Sequence, residues 1–85
     1  MNIKNEILLK ICYTELVYGR INKKLGINFS KKQIEEHILK ILKETDERYF
    51  LKTGKNYYIT NKKHQIRITI NSYTFRIITV DKIYG

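Results

Sequence analysis

The sequence contains no proline and no tryptophan, and it has one cysteine and four glycines among its 85 residues. Without proline, the common breaker of helices and inner strands is missing, so regular elements joined by short turns are expected. A lone cysteine excludes an intramolecular disulfide and a cysteine-based metal site. Acidic residues are also scarce: eight stand against seventeen lysines and arginines, a formal net charge of +9. These absences indicate a small, regular, cationic domain.

Length and composition bound the class of protein. Eighty-five residues make a single domain, 1–85, and a hydrophobic content of 42% is enough for a core. No apolar stretch reaches the ~18–20 residues that a membrane span needs, and no cleavable signal peptide is recognisable. We therefore expect an intracellular, cytoplasmic protein with no membrane partner. No residue pattern indicates a cofactor or a metal.

Two different periodicities divide the chain. The C-terminal part alternates apolar and polar residues, with Ile66, Ile68 and Ile70 as the clearest example, which is typical of strands buried on one face. The N-terminal part repeats apolar residues at helical spacing. We predict an α+β fold, in which two or three helices within 1–47 pack on one face of a four-stranded antiparallel meander within 48–85.

Local signals place the helices. Residues 4–25 are predicted to be helical, either continuously or with a break near residues 12–14. Gly26 follows two lysines and a leucine and is a good helix stop. Ser30 and Gln33 fit a capping box that opens a further helix. The buried stripe of the first helical region is predicted to contain Leu9, Cys12, Leu16 and Ile21, with Cys12 as an unreactive core thiol.

The strand register decides which polar residues meet. A turn at residues 71–72 or 72–73 joins the last two predicted strands, and either choice places Arg67 beside Arg76 on the exposed face. The loop at residues 61–64 then sets Tyr58 opposite Arg67. The four predicted strands are 49–51, 56–60, 65–70 and 74–80.

Positive charge is concentrated in the predicted sheet. Residues 48–85 carry eight lysines and arginines against one acid, Asp81, a net of +7, whereas residues 1–47 carry nine against seven, a net of +2. A basic surface of this kind is typical of proteins with a polyanionic partner. The candidate nucleic-acid-binding residues are Tyr58, Arg67, Thr69 and Arg76 on the exposed face, with Lys55, Lys62 and Lys63 at its rim.

The leading hypothesis is a non-catalytic module that binds RNA or DNA. Arg67 and Arg76 would contact phosphate, Tyr58 would stack or donate a hydrogen bond, and the lysines would supply salt-dependent attraction. The contrasting hypothesis is a protein-interaction module, either with an acidic protein or as a homodimer, that uses exposed tyrosines and the last strand as an edge.

Two further alternatives follow from local patterns. In a winged helix-turn-helix protein, residues 13–43 would hold the DNA-binding helices and residues 49–60 the basic wing. In a toxin-like ribonuclease, the cations of the sheet would bind RNA for cleavage. No phosphate loop or metal motif is present, and His37 and His64 show no carboxylate partner in the sequence, so no hydrolytic centre is predicted.

Nearly the whole chain resembles a small bacterial family of uncharacterised proteins, the domain of unknown function number three-seven-eight-one. The similarity lies in the segments TELVYGRINKKLG, KTGKNYYITN and IRITINSYTFRIITVDK, and NSYTFRIIT is its most specific portion. The resemblance implies a short, self-standing bacterial protein. It assigns no catalytic residue, because the family has no assigned activity. An inhibitor of a nucleic-acid-processing system is one role that such small proteins can have.

Overall fold

Three helices precede a four-stranded antiparallel sheet in the computed structural model of the chain, which describes residues 2–83. The strands are neighbours in chain order, so the sheet is a meander, and the predicted α+β fold is confirmed. No helix within residues 2–83 is long and apolar enough to cross a membrane. The elements are α1 (Ile3–Lys10), α2 (Glu15–Leu25), α3 (Lys31–Glu44), a 3₁₀ turn (Glu47–Tyr49), β1 (Phe50–Thr53), β2 (Asn56–Asn61), β3 (Ile66–Asn71) and β4 (Ile77–Lys82).

The helix ends follow from their local sequence. The Ser30 hydroxyl accepts a hydrogen bond from the Gln33 backbone N–H, and the Gln33 side chain accepts one from the Ser30 N–H, so the predicted capping box opens α3. Gly26 ends α2 in the left-handed conformation, with φ of 66°, which glycine adopts without steric cost.

The N-terminal helical region breaks between α1 and α2, because the chain there pairs with the sheet. The Cys12 N–H donates to the Phe75 carbonyl, and the Ile77 N–H donates to the Cys12 carbonyl, each at 3.0 Å. Cys12 thus forms a short parallel bridge with Arg76. The break that the sequence allowed near residues 12–14 is therefore confirmed.

The predicted buried stripe of this region is partly wrong. Leu9 and Leu16 are 85% and 82% exposed, and Cys12 is exposed as well. Once the chain breaks, α1 and α2 turn independently, so one helical period cannot run through both. The buried positions are Ile7 in α1 and Val17, Ile21 and Leu25 in α2.

One face of the sheet supplies most of the core. Side chains alternate along each strand, and the inner set packs with the helices into one cluster. Fully burying one such aliphatic side chain contributes about 1.5–3 kcal/mol. The inner sheet residues with at most 2% exposure are Ile59, Ile68, Ile70, Ile77 and Val80, and their helical counterparts include Ile7, Ile21, Ile34, Ile38, Ile41 and Leu42.

The β3–β4 register differs from the prediction. A four-residue loop, 72–75, replaces the two-residue turn, and Arg67 lies opposite Asp81. Phe75 ends this loop with φ of 59°, and its buried ring packs against Tyr57, with 6.4 Å between centroids. The sequence signal favoured a tight turn, but burial of this ring keeps Phe75 out of the ladder.

The β2–β3 register is also displaced by two residues from the prediction. Tyr58 lies opposite Thr69, and Thr60 lies opposite Arg67. Asn61 belongs to β2 rather than to the loop, because its side chain is buried and its amide donates to the Thr45 hydroxyl at 2.8 Å. The connecting loop therefore starts one residue later than predicted.

Asn71 shapes the β3–β4 loop, so its replacement tests the observed register. Its side-chain oxygen accepts hydrogen bonds from the backbone N–H groups of Tyr73 and Thr74, at 2.8 and 2.9 Å. Asn71→Ala should lower the free energy of unfolding by about 1–2 kcal/mol, since each hydrogen bond contributes about 0.5–1.5 kcal/mol. Urea denaturation measures the change. Asn28→Ala, at an exposed position, is the control, and equal effects of the two substitutions would contradict this role of Asn71.

Candidate functional site

The centre of the outer sheet face is uncharged. Its middle row runs across all four strands through Leu51, Tyr58, Thr69 and Thr79. Leu51 is 60% exposed, whereas Thr69 is buried among its neighbours. Tyr58, Thr69 and Arg67 thus share this face as predicted, but the face is not the basic surface that the charge count indicated.

Arg67 has an acidic neighbour. The cross-strand pairing sets Arg67 opposite Asp81, and the Lys24 ammonium lies 3.1 Å from the Asp81 carboxylate. The sequence prediction placed Arg67 beside Arg76, with both contacting phosphate. That pair does not form: Arg76 lies at the far end of β3, where its carbonyl accepts from the Asn71 N–H. Along the strand the two arginines are roughly 13 Å apart, four residues at ~3.3 Å each.

The predicted rim lysines lie at opposite ends of the sheet. Lys55 is in the β1–β2 turn, and its carbonyl accepts from the Ser72 N–H at 2.8 Å. Lys62 and Lys63 are in the β2–β3 loop, at the other end of β2, a strand roughly 17 Å long. The Lys63 ammonium lies 3.7 Å from the Glu44 carboxylate of α3. The seven predicted residues therefore do not form one site.

Cations instead line the edge where α2 lies beside β4. The Arg20 guanidinium donates to the Ile78 carbonyl at 3.3 Å, and Lys24 binds Asp81. The Lys82 ammonium lies 3.9 Å from the point where a Cβ on Gly26 would stand. We call this surface the α2–β4 edge; it comprises Arg20, Lys23, Lys24, Arg76 and Lys82.

The cations of α2 in this edge share one helix face. Arg20, Lys23 and Lys24 line a shallow depression on the exposed side of α2, together with Leu16 and Gly19. The sequence does carry a signal for this cation row, because residues 20, 23 and 24 are spaced i, i+3 and i+4. The net charge of residues 1–47 hides this signal, because it adds the acids of α1 and α3 to the cations of α2.

Comparison with known proteins identifies the family. Residues 5–81 match the family described as "Protein of unknown function (DUF3781)". The chain belongs to this family. The resemblance that the sequence segments indicated is thereby confirmed, and it covers all of the α2–β4 edge except Lys82. No curated protein and no solved structure matches the chain.

His64 has a carboxylate partner that sequence reasoning missed. Its Nε2 lies 2.9 Å from the Glu44 carboxylate, and the same carboxylate faces Lys63. These contacts, the hydrogen bond first, lower the pKa of Glu44 below its ordinary value. Twenty residues separate Glu44 from His64, and no local pattern links them. Only the packing of the β2–β3 loop on α3 brings them together.

A chain of buried hydrogen bonds holds this loop in place. The Thr45 hydroxyl donates to the Ile41 carbonyl at 2.7 Å and accepts from the Asn61 amide. The Asn61 side-chain oxygen in turn accepts from the His64 N–H at 2.9 Å. Thr45 and Asn61 are 2% and 6% exposed, so losing any partner would leave a buried polar group unsatisfied. The chain therefore fixes the backbone of His64 relative to α3.

The electrostatics of the second histidine follow from its surroundings. His37 is half-buried on α3, with its ring 5.6 Å from Phe29 and 6.3 Å from His64. Burial, then His64, then Lys40 lower the pKa of His37 below its ordinary value of 6.5.

Among residues 2–83, no three His, Cys, Asp or Glu side chains are arranged to hold a metal ion.

The lowered pKa of Glu44 predicts a pH effect on stability. A carboxyl group with a lowered folded-state pKa stabilises the fold above its ordinary value of 4.5, and this contribution is lost as the pH falls through the lowered pKa. Glu44→Gln should therefore flatten the fall in stability on the acid side of pH 4.5, measured by urea denaturation at a series of pH values. Glu36→Gln, on the exposed side of the same helix, should leave the profile unchanged; if it flattens the curve equally, the Glu44–His64 contact is not the cause.

Proposed function

We propose that the protein is a non-catalytic module that binds nucleic acid through the α2–β4 edge. The observation that carries the proposal is the local charge balance of the α2–β4 edge. Three cations on α2 and two on or beside β4 stand there against one acid, Asp81, which contacts Lys24. A concentrated row of one sign attracts a polyanion far better than the same charges scattered over a surface.

The dimensions of the edge suit a phosphate backbone. Arg76, immediately before β4, and Lys82, at its end, are roughly 20 Å apart for six residues at ~3.3 Å each. Each strand of a duplex carries one phosphate for about every 3.4 Å of helix axis. The edge can therefore face several consecutive phosphates, and the contact of Arg20 with the Ile78 carbonyl limits the freedom that this arginine would lose on binding.

The proposal retains one arginine of the sequence-predicted set and replaces the others. Arg76 begins the edge, whereas Arg67 lies on the outer face beside Asp81 and Lys63 is paired with Glu44. Lys24 within the edge and Lys63 outside it already face acids, and each gains less from a phosphate than an unopposed cation would. Arg20 and Lys23 supply the contacts that the sequence prediction assigned to the sheet face.

Binding should show the salt dependence of phosphate contacts. Labelled single- and double-stranded oligonucleotides, followed by fluorescence anisotropy, should bind the protein more weakly as salt rises. Arg20→Ala/Lys23→Ala should weaken binding by about tenfold and reduce the slope of log K against log salt by about 1.8 for duplex DNA or about 1.4 for a single strand, two contacts in each case.

The control is a double variant that removes the same number of positive charges from the residues predicted from the sequence. Lys62→Ala/Arg67→Ala removes two cations outside the α2–β4 edge and should change affinity much less. If it weakens binding more than the edge variant, the interface is on the sheet face. If the wild type does not bind at low salt, the nucleic-acid proposal is wrong.

Self-association is the second candidate, because of the uncharged middle row of the outer face. Leu51 projects beside Tyr58 there, and interface cores are poor in charge and rich in tyrosine. Among residues 2–83, β1 has no neighbouring strand on its outer side, so a second copy could also pair with it. This candidate uses a different surface from the α2–β4 edge.

Sedimentation equilibrium tests the second candidate. If the outer face forms a homodimer, Leu51→Lys should move the protein toward monomer by placing an ammonium in the apolar contact. Leu9→Lys makes the same change at an exposed leucine of α1 and should leave the dimer intact. A wild type that is monomeric at millimolar concentration would exclude self-association through this face.

A further inference from the structure

A cavity separate from the outer sheet face opens beside the two histidines. It has a volume of about 320 Å³ and lies between the end of α2, the middle of α3, the β2–β3 loop and the end of β4. Small-molecule sites in proteins start at about 300 Å³, so this cavity has room for a compact ligand.

One side of the cavity is apolar. Leu25 and Ile66 are nearly fully buried, and Ile27 and Ile83 complete this wall. Aliphatic side chains from three separate elements thus converge on one space without filling it. Such a wall favours the flat or aliphatic part of an organic molecule over water.

The other side of the cavity presents nitrogen groups. His37, His64 and Lys82 line it, and the lining holds no carboxylate among the described residues. Glu44 stands behind His64 and lines a different cavity, where it also faces Lys63. Burial first, then His64 and Lys40, lower the pKa of His37 below its ordinary value of 6.5, which favours the neutral ring at pH 7. The Lys82 ammonium brings a positive charge to the lining.

The histidine wall is held rigidly. The hydrogen-bond chain through Thr45 and Asn61 fixes the backbone of His64, and Glu44 fixes its ring. Gln65, the next residue and also part of the lining, has φ of 56°, a left-handed conformation that a non-glycine residue rarely adopts. A preorganised donor wall beside an apolar wall lowers the ordering cost of binding a ligand.

We propose that this cavity binds a small organic anion with a compact apolar body and a phosphate or carboxylate group. The apolar body would lie against the leucine and isoleucine wall. The anionic group would contact the Lys82 ammonium, on the side of the cavity that the two imidazoles line. The proposal does not depend on nucleic-acid binding, because Lys82 is the only residue it shares with the α2–β4 edge.

The test uses four probes that distinguish the contribution of the ligand's apolar body from that of its negative charge. Phenyl phosphate and benzoate carry both features, phenol carries only the ring, and inorganic phosphate carries only the charge. NMR titration follows the imidazole signals of His37 and His64 and the methyl signals of Ile27, Ile66 and Ile83. Phenyl phosphate or benzoate should shift them saturably, and phenol and inorganic phosphate should each bind at least about tenfold more weakly.

Lys82→Ala supplies the decisive comparison. This substitution should weaken the binding of phenyl phosphate or benzoate by about tenfold and leave the weak binding of phenol unchanged. Lys82→Arg should restore the affinity for the anionic probe. Lys52→Ala removes an exposed lysine from β1 and should have no effect. If the histidines had only a structural role, none of the four probes would shift the imidazole and methyl signals saturably.

Three results would overturn the proposal. The first is that no probe gives saturable shifts at these histidines and isoleucines. The second is that inorganic phosphate binds as tightly as phenyl phosphate, which would indicate general attraction to the cations. The third is that Lys82→Ala and Lys52→Ala have equal effects. None of these results depends on oligonucleotide binding, which Arg20→Ala/Lys23→Ala tests separately.

Discussion

Burial of one isoleucine-rich sheet face is the constraint on which the rest of this structure depends. Ile59, Ile68 and Val80 lie directly opposite one another on three strands and are inaccessible to solvent. Because side chains alternate, a slip of one residue would turn each of these positions outward. The core therefore pins the register, and the register decides which polar side chains can meet.

The position of the charges follows from that constraint. Once the isoleucines face inward, the outer positions of the strands are filled mostly by threonine, tyrosine and leucine, and most lysines of this half fall in turns at the two ends. The cations that do come together belong to α2 and β4, whose contact is set by burial of Val17, Ile21 and Leu25. A net charge computed over half a chain cannot reveal this, because it contains no information about packing.

The buried hydrogen-bond chain from Ile41 through Thr45 and Asn61 to His64 links the helical layer to the sheet. Buried polar groups are costly unless all partners are present, so the chain specifies one position for the β2–β3 loop. That position creates both the Glu44–His64 contact and one wall of the histidine cavity. The Glu44–His64 contact and the histidine cavity thus depend on Thr45 and Asn61, which in the sequence show no sign of more than an ordinary polar residue at a helix end and in a loop.

Local rules were sufficient for much of the fold. The capping box at Ser30, the stop at Gly26, the break after α1 and the alternation in β2 and β3 are all encoded within a few residues, where backbone propensity and amphipathic periodicity act. Registers were harder: loop lengths depended on burial of Phe75 and Asn61, which are decided by distant partners. The sequence by itself determined the fold class, the helix ends and the inward face of the central strands. The positions of Arg67 opposite Asp81 rather than Arg76, and of Glu44 against His64, come from the tertiary structure, because pairing across elements depends on packing contacts that no local periodicity contains.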